Sequence, residues 1–329
     1  MDKTMNKNLV SFTQLILFVV ISQVLHAQVP DVEMPRLEQI SESVFRTVHR
    51  PGAANSNVIV TDEGLIVFDG TCRGAGDPTW LKQELGRLYD VPVKYVILSH
   101  DHEDHICDLH VFDDTAVTVS HALTRQHIIR EGRNTSVPDV VFDEEMEIHL
   151  GGKKVVLYYF GPTHTNNLIQ AHFPEEGVLM APDIARAERS LALPDFRDAD
   201  IDNLIETLGV LGKLDNVEIV IPGHWGVTNQ ESFFQYRDYV VALRDRVLEE
   251  MIAGATIEQI LERVTMDDFS DYGNYDIWLR PNIISMWDKM YRYREPNRDG
   301  PGGEDSGGVY QDAYPLGFSV GDSGAGANQ

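Results

Sequence analysis

The chain has little cysteine: Cys72 and Cys107 are its only two cysteines among 329 residues. A zinc site built mainly from cysteine needs three or four thiolates, so that class of site is excluded. Two cysteines can form a single disulfide in an oxidising compartment, but only their distance in the fold decides whether they pair. Two independent buried thiols are the alternative, and the sequence leaves this choice open.

Basic residues are also scarce, because 27 Lys and Arg residues stand against 52 Asp and Glu residues. The resulting formal net charge of -25 repels the phosphates of nucleic acids and the headgroups of anionic lipids. We therefore expect a small-molecule substrate and no nucleic-acid partner. The composition does not indicate an oligomeric state.

Long hydrophobic runs are absent except near the N-terminus, where residues 15–25 are almost continuously apolar. Lys3 and Lys7 precede this run, and the small residue Ala27 follows it. Because the run is shorter than the roughly 20 residues of a membrane-spanning helix, it favours a cleaved signal peptide over residues 1–27. An uncleaved anchor is the alternative. We expect a periplasmic or secreted protein with no stable membrane association after cleavage.

Strand-like and helix-like segments then alternate, which is typical of an α/β fold. Strands are predicted over 43–49, 57–61, 65–69, 93–98, 154–160, 168–173, 177–180 and 217–221. Helices are predicted over 77–88, 122–130, 202–213, 230–252, 257–264 and 275–293. We predict one α/β domain over 28–229, a helical C-terminal extension over 230–294 packing on it, and a disordered tail over 295–329.

One short run concentrates groups that bind metals. His100, His102, Asp104 and His105 follow directly after the predicted strand 93–98. Zinc binds imidazole nitrogen and carboxylate oxygen, and residues two apart in an extended loop can face the same ion. Asp104 and His105 lie where the chain turns into a helix, so they can face a second ion. The alternative is a polar loop with solvated histidines.

Three later residues complete this pattern. His164 lies in a turn between two predicted strands, while Asp183 and His224 each follow the end of a predicted strand. Strand ends can meet at one rim of a sheet, so these side chains are candidates for the same metal centre. For Asp183 alone, a helix cap is the more ordinary role.

The ordered set resembles the metallo-β-lactamase superfamily over roughly residues 45–226. The resemblance implies a four-layer αββα sandwich with a metal site at one edge of two packed sheets. It also implies two Zn²⁺ ions per chain, with the first bound by His100, His102 and His164. The second ion would be bound by Asp104, His105 and His224, with Asp183 bridging the two ions. Asp69 matches the family carboxylate that holds the metal loop in place; an ordinary turn aspartate is the equally plausible alternative.

The function implied by this resemblance is that of an exported dinuclear zinc hydrolase. A hydroxide bridging the metals would attack an ester-like or amide bond of a small molecule, with Asp104 as a catalytic proton carrier. The zinc β-lactamases carry cysteine or serine near Asp183, and an aspartate there is more similar to lactonases and glyoxalase II. A β-lactamase-like enzyme, a lactonase or a glyoxalase II-like thioesterase therefore stay open. So do a mononuclear-iron sulfur dioxygenase and a non-catalytic metal-binding family member.

Four neighbours of the ligands are candidate substrate contacts: Asn166, Asn167, Arg186 and Trp225. Arg186 could pair with a substrate carboxylate through two hydrogen bonds. Trp225 could line the substrate pocket, although tryptophan packs in cores as often.

Overall fold

The structure is a computed structural model that describes residues 35–49, 52–72, 76–186, 196 and 199–294. The predicted signal peptide 1–27 and the predicted tail 295–329 lie outside the described residues. The strands are β1 (Arg36–Gln39), β2 (Val44–Val48), β3 (Asn57–Val60), β4 (Leu65–Phe68), β5 (Val93–Leu98), β6 (Val117–His121), β7 (Val140–Phe142), β8 (Glu145–Leu150), β9 (Lys153–Tyr159), β10 (Ile169–Phe173), β11 (Val178–Ala181) and β12 (Ile219–Pro222). The helices are α1 (Pro78–Leu88), α2 (Glu103–Ile106), α3 (Ala122–Glu131), α4 (Ile201–Leu211), α5 (Glu231–Ile252), α6 (Ile257–Arg263) and α7 (Tyr275–Arg294).

Two sheets form the centre of the fold. The first has the order β1-β2-β3-β4-β5-β6-β7, and the second has the order β12-β11-β10-β9-β8. In the first sheet, β1 to β4 pair antiparallel and β4 to β7 pair parallel. In the second, only β11 and β12 pair parallel. A buried apolar layer containing Phe68, Ile97, Leu157 and Ile169 joins the facing sides of the sheets.

Helices cover the outer face of each sheet. Val96 and Leu98 alternate with Ile97 along β5, so they face away from the second sheet and pack with Leu81 and Leu85 of α1. On the outside of the second sheet, a separate buried cluster joins β11 and β12 to α4, α5, α6 and α7. This confirms the predicted four-layer αββα sandwich with helical C-terminal elements.

Local sequence signals explain where α1 begins. The Asp77 carboxylate accepts a hydrogen bond from the backbone N–H of Trp80 at 2.9 Å, and Pro78 occupies the first turn. An aspartate cap satisfies one of the free N–H groups at the start of a helix, and proline has no N–H to leave free. The predicted start of this helix is confirmed.

The C-terminal helices share a buried core with the second sheet. Tyr239 of α5 is fully buried, and its hydroxyl donates to the Asn282 side chain of α7 at 2.7 Å. The same core contains Leu179 of β11 and Val220 of β12. The domain boundary at residue 229 stays a prediction. Among the described helices, none combines the length and apolar character needed to cross a bilayer.

Candidate metal centre

The predicted ligands lie on loops at one rim of the two sheets. The loop after β5 supplies His100 and His102, α2 supplies Asp104 and His105, and the other three follow β9, β11 and β12. The structure brings all seven together as two sets of donor atoms, and the atoms of each set lie within 4.8 Å of one another. The first donor set is His100, His102, His164 and Asp183, and the second donor set is Asp104, His105 and His224.

Distances in the first donor set suit a metal ion. His102 Nδ1 lies 3.1 Å from His164 Nε2, and His164 Nε2 lies 3.2 Å from Asp183 Oδ2. His100 Nε2 lies 3.7 Å from the same carboxylate oxygen. Bonds of about 2.1 Å around a tetrahedral zinc ion separate the ligand atoms by about 3.4 Å. The first donor set therefore fits one zinc ion.

The second donor set has the same spacing. His105 Nε2 lies 3.3 Å from His224 Nε2, and Asp104 Oδ2 lies 3.4 Å from His224 Nε2 and 3.8 Å from His105 Nε2. Asp183 contacts this set too, with Oδ1 at 3.4 Å from His224 and Oδ2 at 3.4 Å from His105. A carboxylate between the two sets has the geometry expected of a bridging ligand.

His100 carries a buried ring nitrogen with no hydrogen-bond partner among the described residues. Its Nδ1 lies 2.8 Å from Ser99 Oγ, and the nitrogen without such a partner is Nε2. Burial, followed by nearby His105 and His102, holds the pKa of His100 well below its ordinary value. The neutral ring therefore presents a lone pair into the first donor set, as a metal ligand must. This orphaned nitrogen is direct support that the residues fit a metal.

Asp69 orients His105 of the second donor set directly and His100 of the first donor set through Ser99. The buried carboxylate accepts from Ser99 N at 2.7 Å and from Ser99 Oγ at 2.6 Å, and it lies 3.1 Å from His105 Nδ1. A proton on Nδ1 leaves Nε2 of His105 free to face the second set. These contacts fit the role expected for Asp69. Sequence reasoning missed Ser99, although its place directly before the motif was a usable signal.

The electrostatics at Asp183 favour an ionised carboxylate. Burial raises the pKa of Asp183, but His105 and His164 outweigh it and hold the pKa well below its usual value. The buried carboxylate is therefore ionised. In the metal-free protein the positive charge beside it comes from His105: burial lowers the pKa of His105, but Asp183 and Asp69 outweigh it and raise the pKa well above its usual value. A Cβ at Gly223 would collide with this carboxylate, so glycine before His224 leaves the space that Asp183 occupies.

Residues far from His224 in the sequence, between positions 46 and 55, hold the loop of His224 in place. His224 Nδ1 lies 3.0 Å from the Gly52 carbonyl, and Asn55 Nδ2 donates to the carbonyl oxygens of Pro222 and Trp225. Arg46 also donates to the Trp225 carbonyl at 2.5 Å. Sequence reasoning missed these positioning residues, because no local pattern links positions so far apart.

The four predicted substrate contacts have different environments. Trp225 is 46% exposed, and its ring lies 5.7 Å from that of His224. Arg186 lines a small cavity with His164 and Asp183, and its guanidinium lies 4.9 Å from the Tyr236 ring centroid. The substrate roles of Trp225 and Arg186 stay predictions.

The two asparagines differ from each other. The side chain of Asn166 is half-buried and accepts a hydrogen bond from Asn167, so its substrate role stays a prediction. Asn167 is 1% exposed and hydrogen-bonds Asp101, which does not fit the predicted substrate contact. The correction follows from its burial: the amide is used within the fold.

Cys72 and Cys107 form a disulfide with their Cα atoms 5.6 Å apart. The bond links the segment that follows Asp69 to the end of α2, which carries Asp104 and His105. The structure thus decides a pairing that the sequence left open.

Known proteins with similar sequences support the same family. The sequence model described as the metallo-beta-lactamase superfamily matches residues 49–224, more than half of the chain. Metallo-beta-lactamase IND-1 of Chryseobacterium indologenes is 25% identical over 174 residues, which are 52% of this chain and 72% of that protein. The 2,4-dinitroanisole O-demethylase subunit alpha of Nocardioides sp. (strain JS1661) is 26% identical over 243 residues, which are 72% of this chain and 66% of that protein.

Solved structures share the fold. A metallo-beta-lactamase from Pontibacter korlensis superposes with a TM-score of 0.56 at 17% identity, covering 63% of this chain and 99% of that one. FIM-1 from Pseudomonas aeruginosa, in a mono-zinc form, gives a TM-score of 0.55 at 19% identity, covering 63% of this chain and 95% of that one. At these identities the likeness concerns the fold alone.

Proposed function

The chain belongs to the metallo-β-lactamase superfamily, and from this premise we propose that it is an exported hydrolase holding two zinc ions per chain. Its substrate is a small molecule with an ester-like or amide bond. The observation that carries the proposal is the pair of donor sets that meet at Asp183. When bound, two zinc ions supply Lewis acidity and an activated water near neutral pH.

The protein's own residues then orient and transfer protons. Asp69 keeps His105 directed toward the second donor set, and through Ser99 it does the same for His100. Asp104 is the ligand that can exchange a proton with a substrate, because its side chain is 53% exposed. Burial raises the pKa of Asp104, but the hydrogen bond with His224 and the nearby His105 outweigh it and lower the pKa to about 2. The carboxylate is therefore ionised and acts as the proton acceptor at this open side.

Two side chains support the choice of a small substrate with a negative group. Arg186 lies beside His164 and Asp183 in the same small cavity, and its Nε has no hydrogen-bond partner among the described residues. A guanidinium in such a position can bind a substrate carboxylate. Trp225 offers an exposed aromatic face next to His224 for the apolar part of the molecule.

Four substrate types fall into two candidate classes: carbonyl compounds (a cyclic amide, a lactone or a thioester) and an aryl ether. Similarity to proteins named metallo-beta-lactamase supports a cyclic amide, and Asp183 also leaves a lactone or thioester in consideration. The second candidate is an activated aryl ether. It is supported by the match to the 2,4-dinitroanisole O-demethylase subunit, which extends over 72% of this chain.

The test is a metal measurement joined to a substrate panel. The purified protein without residues 1–27 is analysed for zinc per chain. It is then incubated with a chromogenic cephalosporin, a lactone, a thioester and 2,4-dinitroanisole. We expect two zinc ions and turnover of one substrate class that is lost with a chelator and regained with zinc. Bound zinc without turnover of any of the four, or one iron with oxygen uptake, would contradict the proposal.

Export is supported by two independent features. The apolar run at residues 15–25 resembles a signal peptide, and the disulfide between Cys72 and Cys107 is typical of an oxidising compartment. We expect the mature protein outside the cytoplasm, beginning near Gln28. Cell fractionation with N-terminal sequencing checks this, and a cytoplasmic protein that retains residues 1–27 would refute it.

A further inference from the structure

A buried amide–carboxylate pair joins the two loops that supply the histidines of the first donor set. Asp101 stands between His100 and His102, and Asn167 lies three residues after His164. The pair is almost inaccessible to solvent, with 6% exposure for Asp101 and 1% for Asn167. Neither residue belongs to a donor set, so their role is not coordination.

The pair is connected by two hydrogen bonds. Asn167 Oδ1 accepts from the backbone N–H of Asp101 at 3.0 Å, and Asn167 Nδ2 donates to Asp101 Oδ1 at 2.8 Å. The Thr124 hydroxyl of α3 also donates to Asn167 Oδ1, at 3.1 Å. A backbone N–H can only donate, which fixes which end of the amide faces it. The amide therefore holds both the main chain and the side chain of Asp101.

We infer that Asn167 is a positioning residue that locks the turn between His100 and His102 to the loop of His164. It thereby sets the zinc affinity of the first donor set. This inference rests on the proposed two-zinc function. The three histidines come from two separate loops, and their ring nitrogens must keep a spacing of about 3.4 Å around the ion. Groups that hold ligands in place in this way typically change metal affinity 10–100-fold when they are mutated.

The polarity of the pair gives a sharp test. Asn167→Asp replaces the donating NH₂ with an oxygen that faces the Asp101 carboxylate, so two acceptors of like charge meet. The double variant Asn167→Asp with Asp101→Asn restores one donor and one acceptor in the reverse order. The backbone N–H of residue 101 and the Thr124 hydroxyl still find an acceptor at residue 167 in both variants.

Asp101 Oδ2 also lies 3.4 Å from His127 Nδ1 and 3.8 Å from an Arg133 nitrogen, and Asn167 Nδ2 lies 3.1 Å from His127 Nδ1 and 2.9 Å from Asn166 Oδ1. The Asp101→Asn single variant measures the loss of the Asp101 contacts, so recovery in the double variant relative to both single variants reports the side-chain pairing.

The affinities are measured with zinc alone, by competition against a chelator. We expect Asn167→Asp to bind one of its two ions about 10–100-fold more weakly, and the double variant to recover most of that loss. In an Asp104→Ala background, which lacks one ligand of the second donor set, the remaining ion reports the first set separately. Cobalt(II) absorption spectra give a second readout of the same ligand geometry.

The matched control is Asn134→Asp. Asn134 Nδ2 also donates to an aspartate, Asp108, at 2.5 Å, but that contact is exposed. We expect this variant to keep both zinc affinities. A purely structural role for Asn167 would instead lower the Tm of the metal-free protein and weaken both ions together.

Three results would overturn the inference: unchanged affinities in Asn167→Asp, an equal loss at both donor sets, or no recovery in the double variant. Each of these leaves the proposed function intact if the wild-type chain binds two ions. A wild-type chain that binds no zinc would instead refute the proposed function itself, so the two failures are distinguishable.

Discussion

At the scale of single residues, Asp104 is the most exposed of the seven predicted ligands, with 53% of its side chain accessible, whereas His100 and His105 are fully buried. The buried histidines also support the fold, because Ser99 and Asp69 hold them in place. Asp104 makes few contacts outside the second donor set. Its role in metal binding and turnover can therefore be tested with little effect on stability.

We predict that Asp104→Ala removes one zinc ion and lowers turnover by roughly 10²–10⁴-fold, the usual range for a lost acid–base group. The contacts of Asp104 with His224 and His105 stabilise the metal-free fold, but the side chain is 53% exposed. The free energy of unfolding without metal should therefore fall by about 1 kcal/mol or less. Metal analysis, kinetics and urea unfolding check the three parts. Glu103→Ala, at the exposed neighbouring position of α2, is the control. Retained turnover with two ions would refute the role of Asp104.

Glu176 is a second informative residue, outside both donor sets. Its carboxylate accepts from Ser41 Oγ at 2.6 Å and from Ser43 N at 2.8 Å, and lies 3.1 Å from Lys153 Nζ. Burial raises the pKa of Glu176, but hydrogen bonds from Ser41, Ser43 and Lys153 outweigh it and lower the pKa to about 2. Since the side chain is only 11% exposed, the ionised form contributes to stability.

The lowered pKa of Glu176 makes the folded protein more stable at neutral pH than at low pH. The unfolded value is 4.5, so the contribution of Glu176 is complete above pH 4.5 and is lost as the pH falls toward 2. We predict that Glu176→Gln costs about 2 kcal/mol at pH 7 and progressively less below pH 4.5. Urea unfolding with a chelator at several pH values measures this difference. Glu175→Gln, which changes an exposed neighbour, should show a much smaller effect; an equal effect would contradict the prediction.

At the scale of elements, α2 depends on its surroundings. It has four residues, fewer than an isolated helix needs for stability, yet it carries Asp104 and His105. Gly70 N–H donates to the carbonyl of His105 at 2.6 Å, and the disulfide attaches the end of α2 to Cys72. Contacts to the segment after β4 therefore position this helix.

We predict that reducing the disulfide destabilises the protein and loosens α2. The two cysteines are 35 residues apart, for which the chain-entropy relation gives a loss of about 3–4 kcal/mol. Urea unfolding before and after treatment with a phosphine reductant measures the loss, and hydrogen exchange follows α2. A Cys72→Ser, Cys107→Ser double variant serves as the control, because the reductant should not affect it. Two free thiols in the untreated, denatured protein would rule out the bond.

The sequence analysis did not predict four of the strands, β1, β6, β7 and β8. β1, β7 and β8 lie at sheet edges, where many side chains are solvated and the apolar pattern is weak. In β8, only Ile148 is buried, between exposed Glu147 and His149. β6 lies inside the first sheet, and its Val-Thr-Val pattern is typical of a strand. Neither an edge position nor a weak apolar pattern explains why the sequence analysis missed it. Buried strands such as β5 were predicted at their actual bounds.

At the scale of the whole molecule, the C-terminal helices complete the fold that carries the metal centre. α5 places large side chains against the second sheet and α4, and the sheet positions Asp183 and His224. Large side chains contribute roughly 1.5–3 kcal/mol each when fully buried. The buried apolar side chains of α5 are Phe233, Tyr236, Tyr239, Val240, Leu243 and Val247.

We predict that a chain ending at residue 229 does not form a stable fold, because the outer face of the second sheet loses its cover. It should aggregate or bind a hydrophobic dye, and it should lack a cooperative unfolding transition. A chain ending at residue 294 is the control. It keeps α7 and should retain the Tm and zinc content of the full protein. A soluble, cooperative chain ending at 229 would contradict this prediction.

The sequence by itself determined the candidate ligand types, their order and the ends of the strands that carry them. These are local properties. Residue chemistry, apolar periodicity and the spacing of a few positions within His100–His105 can be read directly from neighbouring residues. The tertiary structure alone decided that Cys72 pairs with Cys107, that Asn55 holds the loop of His224, and that Asn167 hydrogen-bonds Asp101 rather than facing the substrate. The physical reason is that each of these contacts depends on a distance between segments far apart in sequence, and folding alone sets that distance.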